Sequence, residues 1–186
     1  MPFRDHSHLA NVHATLGASN NAWTNYDLDT LETRYRAKLA AQHGTEMHEF
    51  AAQCIRHKQR LEETGQTLNT YVNDSIGYRM TPEVVLFHSM DAFGTADAIT
   101  DRDEFLKISD LKTGIGETSF RQLETYAAFY CLEYKKNPAK LAGMEFRIYQ
   151  NDEVKFMEGD PLVITQLMEH TKICSAHIAR LRAEAE

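Results

Sequence analysis

The sequence predicts an α+β fold, close to the α/β class, with one central mixed β-sheet flanked by helices and a helical segment at the N-terminus. Two observations predict it. The hydrophobic periodicity is helical in the first part of the chain, changes to strand-like runs, and then returns to helical. A long helical stretch also separates the first group of strands from a later pair, and such a crossover allows a later strand to run parallel to an earlier one.

Helical patterns dominate the chain ahead of Pro82. Ser, Asn and Asp are good N-cap residues, and Gly44 interrupts the periodic pattern, so we expect one helix to end there and another to follow. The predicted helical segments are a short turn capped by Ser19 and Asn20, a helix capped by Asp27 or Asp29, a helix over 45–63 and a helix over about 68–75.

Strand patterns begin at Pro82. Short links between the first three runs predict an antiparallel meander, which a helix then separates from the last two strands. The predicted strands are 83–87, 91–99, 104–112, 144–149 and 154–157; the predicted helices run from 117 to the Asn137-Pro138 stop and from Pro161 towards the end, the latter with Ile164, Leu167, Met168, Cys174, Ile178 and Leu181 inward.

The bulk composition predicts a single domain over residues 1–186. Hydrophobic residues make up 42% and charged residues 25%, as is typical of globular chains. The first residues have no apolar segment of signal-peptide length, and no run approaches the length of a membrane span. We therefore expect a soluble, cytoplasmic protein with no membrane partner.

The cysteine pattern excludes several structural classes. The three cysteines, Cys54, Cys131 and Cys174, are far apart and form no CxxC pair. An odd, scattered set argues against a disulfide framework, a zinc knuckle or an iron–sulphur cluster. Each cysteine is expected to be a small residue of the core.

Two neighbouring predicted strands carry candidate catalytic and metal-binding residues. Side chains alternate between the faces of a strand, so Asp110 and Lys112 are expected to point the same way. Asp97 lies in the preceding strand. Carboxylates that hold one or two Mg²⁺ ions, with a lysine to orient water or stabilise charge, supply what phosphodiester hydrolysis requires. An ordinary solvated pair is the alternative interpretation of Asp110 and Lys112.

The net charge affects whether the chain can bind nucleic acid. The net charge is −7, and non-specific phosphate binding normally needs a basic surface. Bound divalent cations offset acidic groups, however, and basic residues accumulate locally. These residues are Lys107, Lys112, Arg121, Lys135, Lys136 and Lys140, with Arg56, Lys58 and Arg60 upstream.

Four short motifs occur in the order found in one nuclease family. They read Gly44-Thr45-Glu46-Met47-His48, Gly94-Thr95-Ala96-Asp97, Asp110-Leu111-Lys112-Thr113 and Gln122-Leu123-Glu124-Thr125-Tyr126. The chain resembles the RecB-like branch of the PD-(D/E)XK nuclease superfamily, and in particular its phage-encoded members without an iron–sulphur cluster. Ser19 followed by Trp23 is similar to the start of such members. Ala96 departs from the proline of the family name, and Asp110 stands where many members have Glu.

The resemblance implies a PD-(D/E)XK core and a role for each matching residue. His48, Asp97, Asp110 and the main-chain carbonyl of Leu111 are then expected to ligate Mg²⁺ or Mn²⁺. Asp97, Asp110 and Lys112 are expected to be catalytic. The expected nucleic-acid-binding residues are Gln122, Tyr126, Thr113 and Ser19.

Several alternatives stay open at this point. Gln122 and Tyr126 either meet the substrate or brace Lys112. Ser19 either contacts phosphate or caps a helix, and His48 is either a ligand or an ordinary helix residue. Glu83, at the start of the first strand, is either a further acidic group near the metal or an edge residue.

The sequence thus predicts a metal-dependent DNA nuclease, an exonuclease in phage or bacterial replication, recombination or repair. The alternatives are a catalytically inactive nuclease-fold module for DNA binding or assembly, and a structure-specific endonuclease. DNA is the expected partner. A phage or host recombination or replication protein and a second copy of the chain are further candidates, and a phage-encoded protein would act in the bacterial cytoplasm.

Overall fold

The computed structural model describes residues 4–185, which contain α-helices, 3-10 helices and one five-stranded sheet. Its α-helices are α1 Leu28–His57, α2 Thr67–Gly77, α3 Arg121–Glu133 and α4 Pro161–Ala185. Its strands are β1 Thr81–Ser89, β2 Ala92–Arg102, β3 Phe105–Leu111, β4 Gly143–Gln150 and β5 Glu153–Glu158. Short 3-10 helices cover Ser7–Leu9, Asn21–Asn25 and Pro138–Lys140.

The chain divides into two compact units, with the boundary between His43 and Gly44 inside α1. In the first unit, Asp27 Oδ1 accepts a hydrogen bond from the Thr30 N–H at 2.7 Å, so the predicted capping role of Asp27 is confirmed. The predicted cap of the preceding turn is wrong. Its N-cap residue is Asn20, and no side-chain hydrogen bond forms there.

The second unit contains the sheet, whose strand order is β1-β2-β3-β4-β5. The pairs β1–β2, β2–β3 and β4–β5 are antiparallel, and β3–β4 is parallel. The meander and the parallel crossover expected from the sequence are therefore both confirmed. The crossover runs through α3, as the long helical stretch between the strand groups requires.

Buried side chains form a hydrophobic cluster on each face of this sheet. One cluster joins the sheet to α3 and α4 through residues such as Ile108, Leu123 and Ile164. The other joins it to α2 and to the part of α1 after Gly44, through residues such as Tyr71 and Tyr149. The fold is thus α+β, with a mixed sheet flanked by helices.

The predicted helix break at Gly44 is wrong, because α1 continues through it to His57. A glycine inside a helix costs about 1 kcal/mol relative to alanine, which a helix held by tertiary packing can absorb. The glycine here has a packing reason. A Cβ on the buried Gly44 would lie 2.7 Å from Oγ1 of Thr113.

The expected burial along α4 is only partly correct. Ile164 is fully buried, and Leu167 and Met168 pack against the core. Cys174, Ile178 and Leu181 are exposed, contrary to the expectation. Of the cysteines, Cys54 and Cys131 are buried and free, as expected. Within residues 4–185, none of the helices combines the length and apolar character that a membrane span requires.

Candidate functional site

The site lies where β2 loses its pairing with β3. Their register extends to the pair Ala98–Ser109 and ends there, whereas β3 stays paired with β4 as far as Leu111. Beyond that point the Leu111 N–H donates to Oδ2 of Asp97 at 2.8 Å. A carboxylate side chain therefore replaces the missing strand-to-strand hydrogen bond, and this fixes Asp97 beside the end of β3.

A histidine from α1 and a glutamate from β1 complete an acidic cluster with Asp97. His48 Nδ1 lies 3.4 Å from Asp97 Oδ2. One ligand atom from each of His48, Glu83 and Asp97 lies within 4.8 Å of the others. We call these three residues the acidic cluster. His48 and Asp97, which the sequence predicts to share a site, are therefore close together in the structure. Glu83, whose role the sequence left open, lies beside them.

Glu83 has an unusual backbone for its residue type. Its φ is 54°, in the left-handed region that glutamate rarely adopts. The β1–β2 register includes the pairs Pro82–Ala98 and Val84–Ala96 but omits Glu83. Backbone strain of this kind is often found at functional sites. Here it accompanies a carboxylate that faces a histidine and an aspartate.

Asp110 and Lys112 lie on the same side of β3, as strand alternation predicts. Lys112 Nζ donates to Asp110 Oδ1 at 3.1 Å and lies 3.0 Å from Oδ2. Asp110 is only 3% exposed. Its Oδ2 is buried and accepts no well-directed hydrogen bond from any residue within 4–185. A buried carboxylate oxygen of this kind is an acceptor available to a cation.

Gln122 and Tyr126 extend this contact along α3. Lys112 Nζ donates to Gln122 Oε1 at 2.8 Å, and Gln122 Nε2 donates to the Tyr126 hydroxyl at 3.0 Å. Gly94 makes room for the ring, since a Cβ there would lie 2.9 Å from Tyr126 Cε1. Of the two roles considered for Gln122 and Tyr126, these contacts support bracing of the lysine.

The two other residues expected to contact nucleic acid are placed differently. Thr113 directly follows Lys112, and its Oγ1 approaches Gly44. Ser19 lies in the first compact unit and is exposed. Thr113 is therefore part of the group around Lys112, whereas the phosphate contact expected of Ser19 stays a prediction.

The pKa values show how the acidic groups influence one another. The hydrogen bond to Asp97 raises the pKa of His48, against the opposing effect of burial. Burial and the charge of Asp97 raise the pKa of Asp110, and Lys112 does not offset this increase. Burial and Asp97 also raise the pKa of Glu83. The site thus holds more negative charge than its own cations neutralise.

The side chains fit a divalent cation. Carboxylate oxygens are the ligands that Mg²⁺ and Mn²⁺ prefer, and an imidazole adds a nitrogen donor. The acidic cluster offers three ligand atoms close together, and Asp110 offers a buried oxygen without a hydrogen bond. His48, Glu83, Asp97 and Asp110 are therefore the residues that could hold the ion. The expected use of the Leu111 carbonyl stays a prediction.

Besides Lys112, three of the basic residues that accumulate in this part of the sequence are paired with carboxylates. Lys107 lies 2.6 Å from Glu145, and Lys136 lies 3.5 Å from Asp101. Arg121 lies 3.2 Å from Glu124. Spacing along the sequence shows that basic residues accumulate, but it does not show which carboxylate each one meets.

Sequence reasoning missed Gln150, at the end of β4. Its side chain is buried and donates to the carbonyls of Gly114 at 2.6 Å and Gly116 at 2.8 Å. These bonds fix the glycine-containing loop after Lys112. A cavity of about 370 Å³ is lined by that loop together with Lys112, Gln122 and Gln150. Gln150 is a polar residue at the end of a buried strand, and this pattern could have marked it as a candidate site residue.

The fold and the site together define a class: an α+β chain whose mixed sheet carries a histidine–carboxylate cluster next to a braced lysine. No family model matches the chain, and neither the curated proteins nor the solved structures give a significant match. The resemblance to RecB-like nucleases therefore rests on the four motifs.

Proposed function

We propose that this chain is a metal-dependent deoxyribonuclease with a PD-(D/E)XK core of the RecB-like branch. One observation carries the proposal: the buried Asp110 pairs with the partly exposed Lys112 at the end of the strand whose Leu111 N–H binds Asp97 of the acidic cluster. Carboxylates that can hold a divalent cation, together with a lysine, are the groups that phosphodiester hydrolysis requires. The proposed reaction is hydrolysis of DNA from its ends.

The residues divide the work of hydrolysis between them. A bound Mg²⁺ or Mn²⁺ supplies charge neutralisation on the phosphodiester and makes water a better nucleophile. Lys112, through Nζ, orients the attacking water or stabilises negative charge that develops on the phosphoryl oxygens. Asp110 and Gln122 hold Nζ from two sides, and Tyr126 holds Gln122. Restraint of this kind reduces the entropy that the lysine loses on reaching the transition state.

A catalytically inactive module for DNA binding or assembly is the second candidate. The net charge of −7 and the pairing of Lys107, Lys136 and Arg121 with carboxylates favour it, because they weaken attraction to phosphate. A module of this kind does not need a lysine braced by Asp110 and Gln122 beside a cluster of His48, Glu83 and Asp97. The hydrolytic proposal accounts for both.

The test is a nuclease assay on end-labelled linear DNA and on covalently closed circles, with Mg²⁺ and with Mn²⁺. Wild type is expected to degrade linear DNA. Lys112→Ala is expected to lose at least about 100-fold in rate, the lower range for general acid–base catalysis. Lys155→Ala is the matched control, because Lys155 is an exposed lysine on β5. It is expected to cleave like wild type.

Each result has a definite meaning. Loss of linear DNA alone supports an exonuclease, and the position of the label gives its polarity. Nicked circles indicate an endonuclease at the same site. Cleavage by Lys112→Ala at the wild-type rate contradicts the assignment of the lysine. Absence of cleavage of either substrate, despite metal binding, supports the inactive module.

A further inference from the structure

Two phenylalanines lie side by side on the β1–β2 hairpin and are open to solvent. Phe87 and Phe93 are cross-strand partners, with 43% and 56% of their surfaces exposed. Two residues further along the hairpin is the pair Val85–Thr95, and both of these residues are also exposed. Large apolar side chains grouped at the surface often mark a binding site.

This row lies on the sheet face opposite α3 and α4. Leu86 and Ala96 are fully buried in the core cluster that includes α3 and α4. Gly94, the partner of Leu86, approaches Tyr126 of α3. Because side chains alternate along a strand, Phe87 and Phe93 project from the other face.

The same strand, β2, continues to the acidic cluster. Asp97 lies two residues beyond Thr95 on β2, and its carboxylate meets His48 of α1. At roughly 3.3 Å per residue, Phe93 is about 13 Å along the strand from Asp97. A strand of nucleic acid whose scissile phosphate lies at the cluster can therefore extend over Val85 and the two phenylalanines.

The row itself carries no charge, and the carboxylate of Glu133, which accepts from the Phe87 N–H at 2.8 Å, disfavours phosphate next to it. The side chains of Val85, Phe87, Phe93 and Thr95 are uncharged. Aromatic rings stack on bases for about 1–3 kcal/mol per base, with little dependence on sequence. A chain with a net charge of −7 gains little from its overall charge in binding phosphates, so stacking is the available source of affinity.

We propose that Phe87 and Phe93 form a stacking platform for unpaired bases of single-stranded DNA next to the scissile phosphodiester. Bases in a duplex are hidden within the helical stack and cannot lie flat on a protein surface without being unstacked. The platform therefore selects single strands or frayed ends. The inference rests on the proposed function, since it names the substrate form taken by the same site.

The test measures binding of a labelled short oligothymidylate and of a blunt hairpin duplex by fluorescence anisotropy. All proteins carry Lys112→Ala, and Mg²⁺ is present, so that binding is measured without cleavage. Phe87→Ala and Phe93→Ala are each expected to weaken single-strand binding by about tenfold, within the measured range for base stacking. Phe87→Trp keeps an aromatic face and is expected to retain the affinity.

Phe156→Ala is the matched control. Phe156 lies on β5, at the other edge of the sheet, and is 69% exposed. It is expected to leave single-strand binding unchanged. Circular dichroism and light scattering of every variant check the fold and the oligomeric state.

Three binding results would each overturn the platform: tighter binding of the blunt duplex, unchanged binding in both phenylalanine variants, or an equal loss in Phe156→Ala. A change of oligomeric state in Phe87→Ala also overturns it, because the row is then an interface between copies. Hydrolysis of bis(p-nitrophenyl) phosphate by wild type with Mn²⁺ tests the proposed function separately, because this diester has no bases. If that hydrolysis is absent, the nuclease proposal fails, and the binding data still decide the platform.

Discussion

At the scale of single residues, the geometry around Lys112 decides what the site can do. Nζ lies near both oxygens of Asp110 and donates to Gln122, so the ammonium is held from two directions. A long lysine side chain otherwise loses up to about 2 kcal/mol of conformational entropy when it is fixed. Gln122 is therefore a positioning residue in this account.

Gln122→Leu removes the acceptor of the Lys112 hydrogen bond and is expected to lower kcat about tenfold or more, because a misplaced catalytic group is costly. Gln122→Glu keeps an acceptor oxygen and is expected to recover most of that loss. Initial rates on linear DNA across pH measure both variants, with thermal unfolding as the check on folding. Equal rates for the Leu and Glu variants would contradict the positioning role.

Part of this geometry follows from the sequence. Alternation along a strand was enough to place Asp110 and Lys112 together, because they are two residues apart. The left-handed φ of Glu83 could not be predicted, since glutamate rarely adopts it and only the interrupted pairing with β2 reveals it. The membership of Glu83 in the acidic cluster therefore needed the structure.

At the scale of elements, two motif glycines allow close approaches between elements. Gly94 lets β2 approach Tyr126 on α3, and Gly44 lets α1 approach Thr113 after β3. In both cases the neighbouring side chain belongs to another of the four motifs. The glycines are thus explained by packing within the site.

Gly94→Ala is expected to displace the Tyr126 ring, because the new Cβ would lie 2.9 Å from Cε1. Forcing an extra carbon into a packed contact typically costs about 1–3 kcal/mol of unfolding free energy. The nuclease rate should fall as well, since Tyr126 holds Gln122. Urea unfolding and initial rates measure the two effects.

Gly116→Ala is the control for stability, because nothing lies within 4 Å of a Cβ at that position. It is expected to change the free energy of unfolding much less than Gly94→Ala does. A Gly94→Ala protein as stable and as active as wild type would show that the ring has room to move.

The glycine in α1 also shows why one helix boundary was wrong. From the sequence, Gly44 indicates a break, because glycine is a poor helix former. In the structure it is buried against Thr113, which lies far away along the chain. The helix continues through Gly44 because of a contact with a residue distant in the sequence, and local helix propensity does not predict such a contact.

At the scale of the whole molecule, the meander and a mixed sheet flanked by helices were predictable, whereas the position of β4 beside β3 and the burial of α4 were not. Short links imply the meander and a helical crossover allows a parallel pair, but only the structure shows that β3 is the parallel partner. The exposure of Cys174, Ile178 and Leu181 depends on where α4 meets other elements. Helical periodicity predicts which face of α4 is apolar, but it does not predict how far along the helix that face stays in contact with the core.

The central claim is that the acidic cluster with Asp110 binds a divalent cation, and the Mn²⁺ dependence of thermal unfolding tests it most directly. Binding to the folded state at 100 times Kd stabilises it by about 2.7 kcal/mol. Asp103 is exposed in the turn between β2 and β3, so Asp103→Asn is the control. Wild type and Asp103→Asn are therefore expected to melt at a higher temperature with Mn²⁺, and Asp97→Asn is not. No increase in wild type, or an equal increase in Asp97→Asn, would contradict the account.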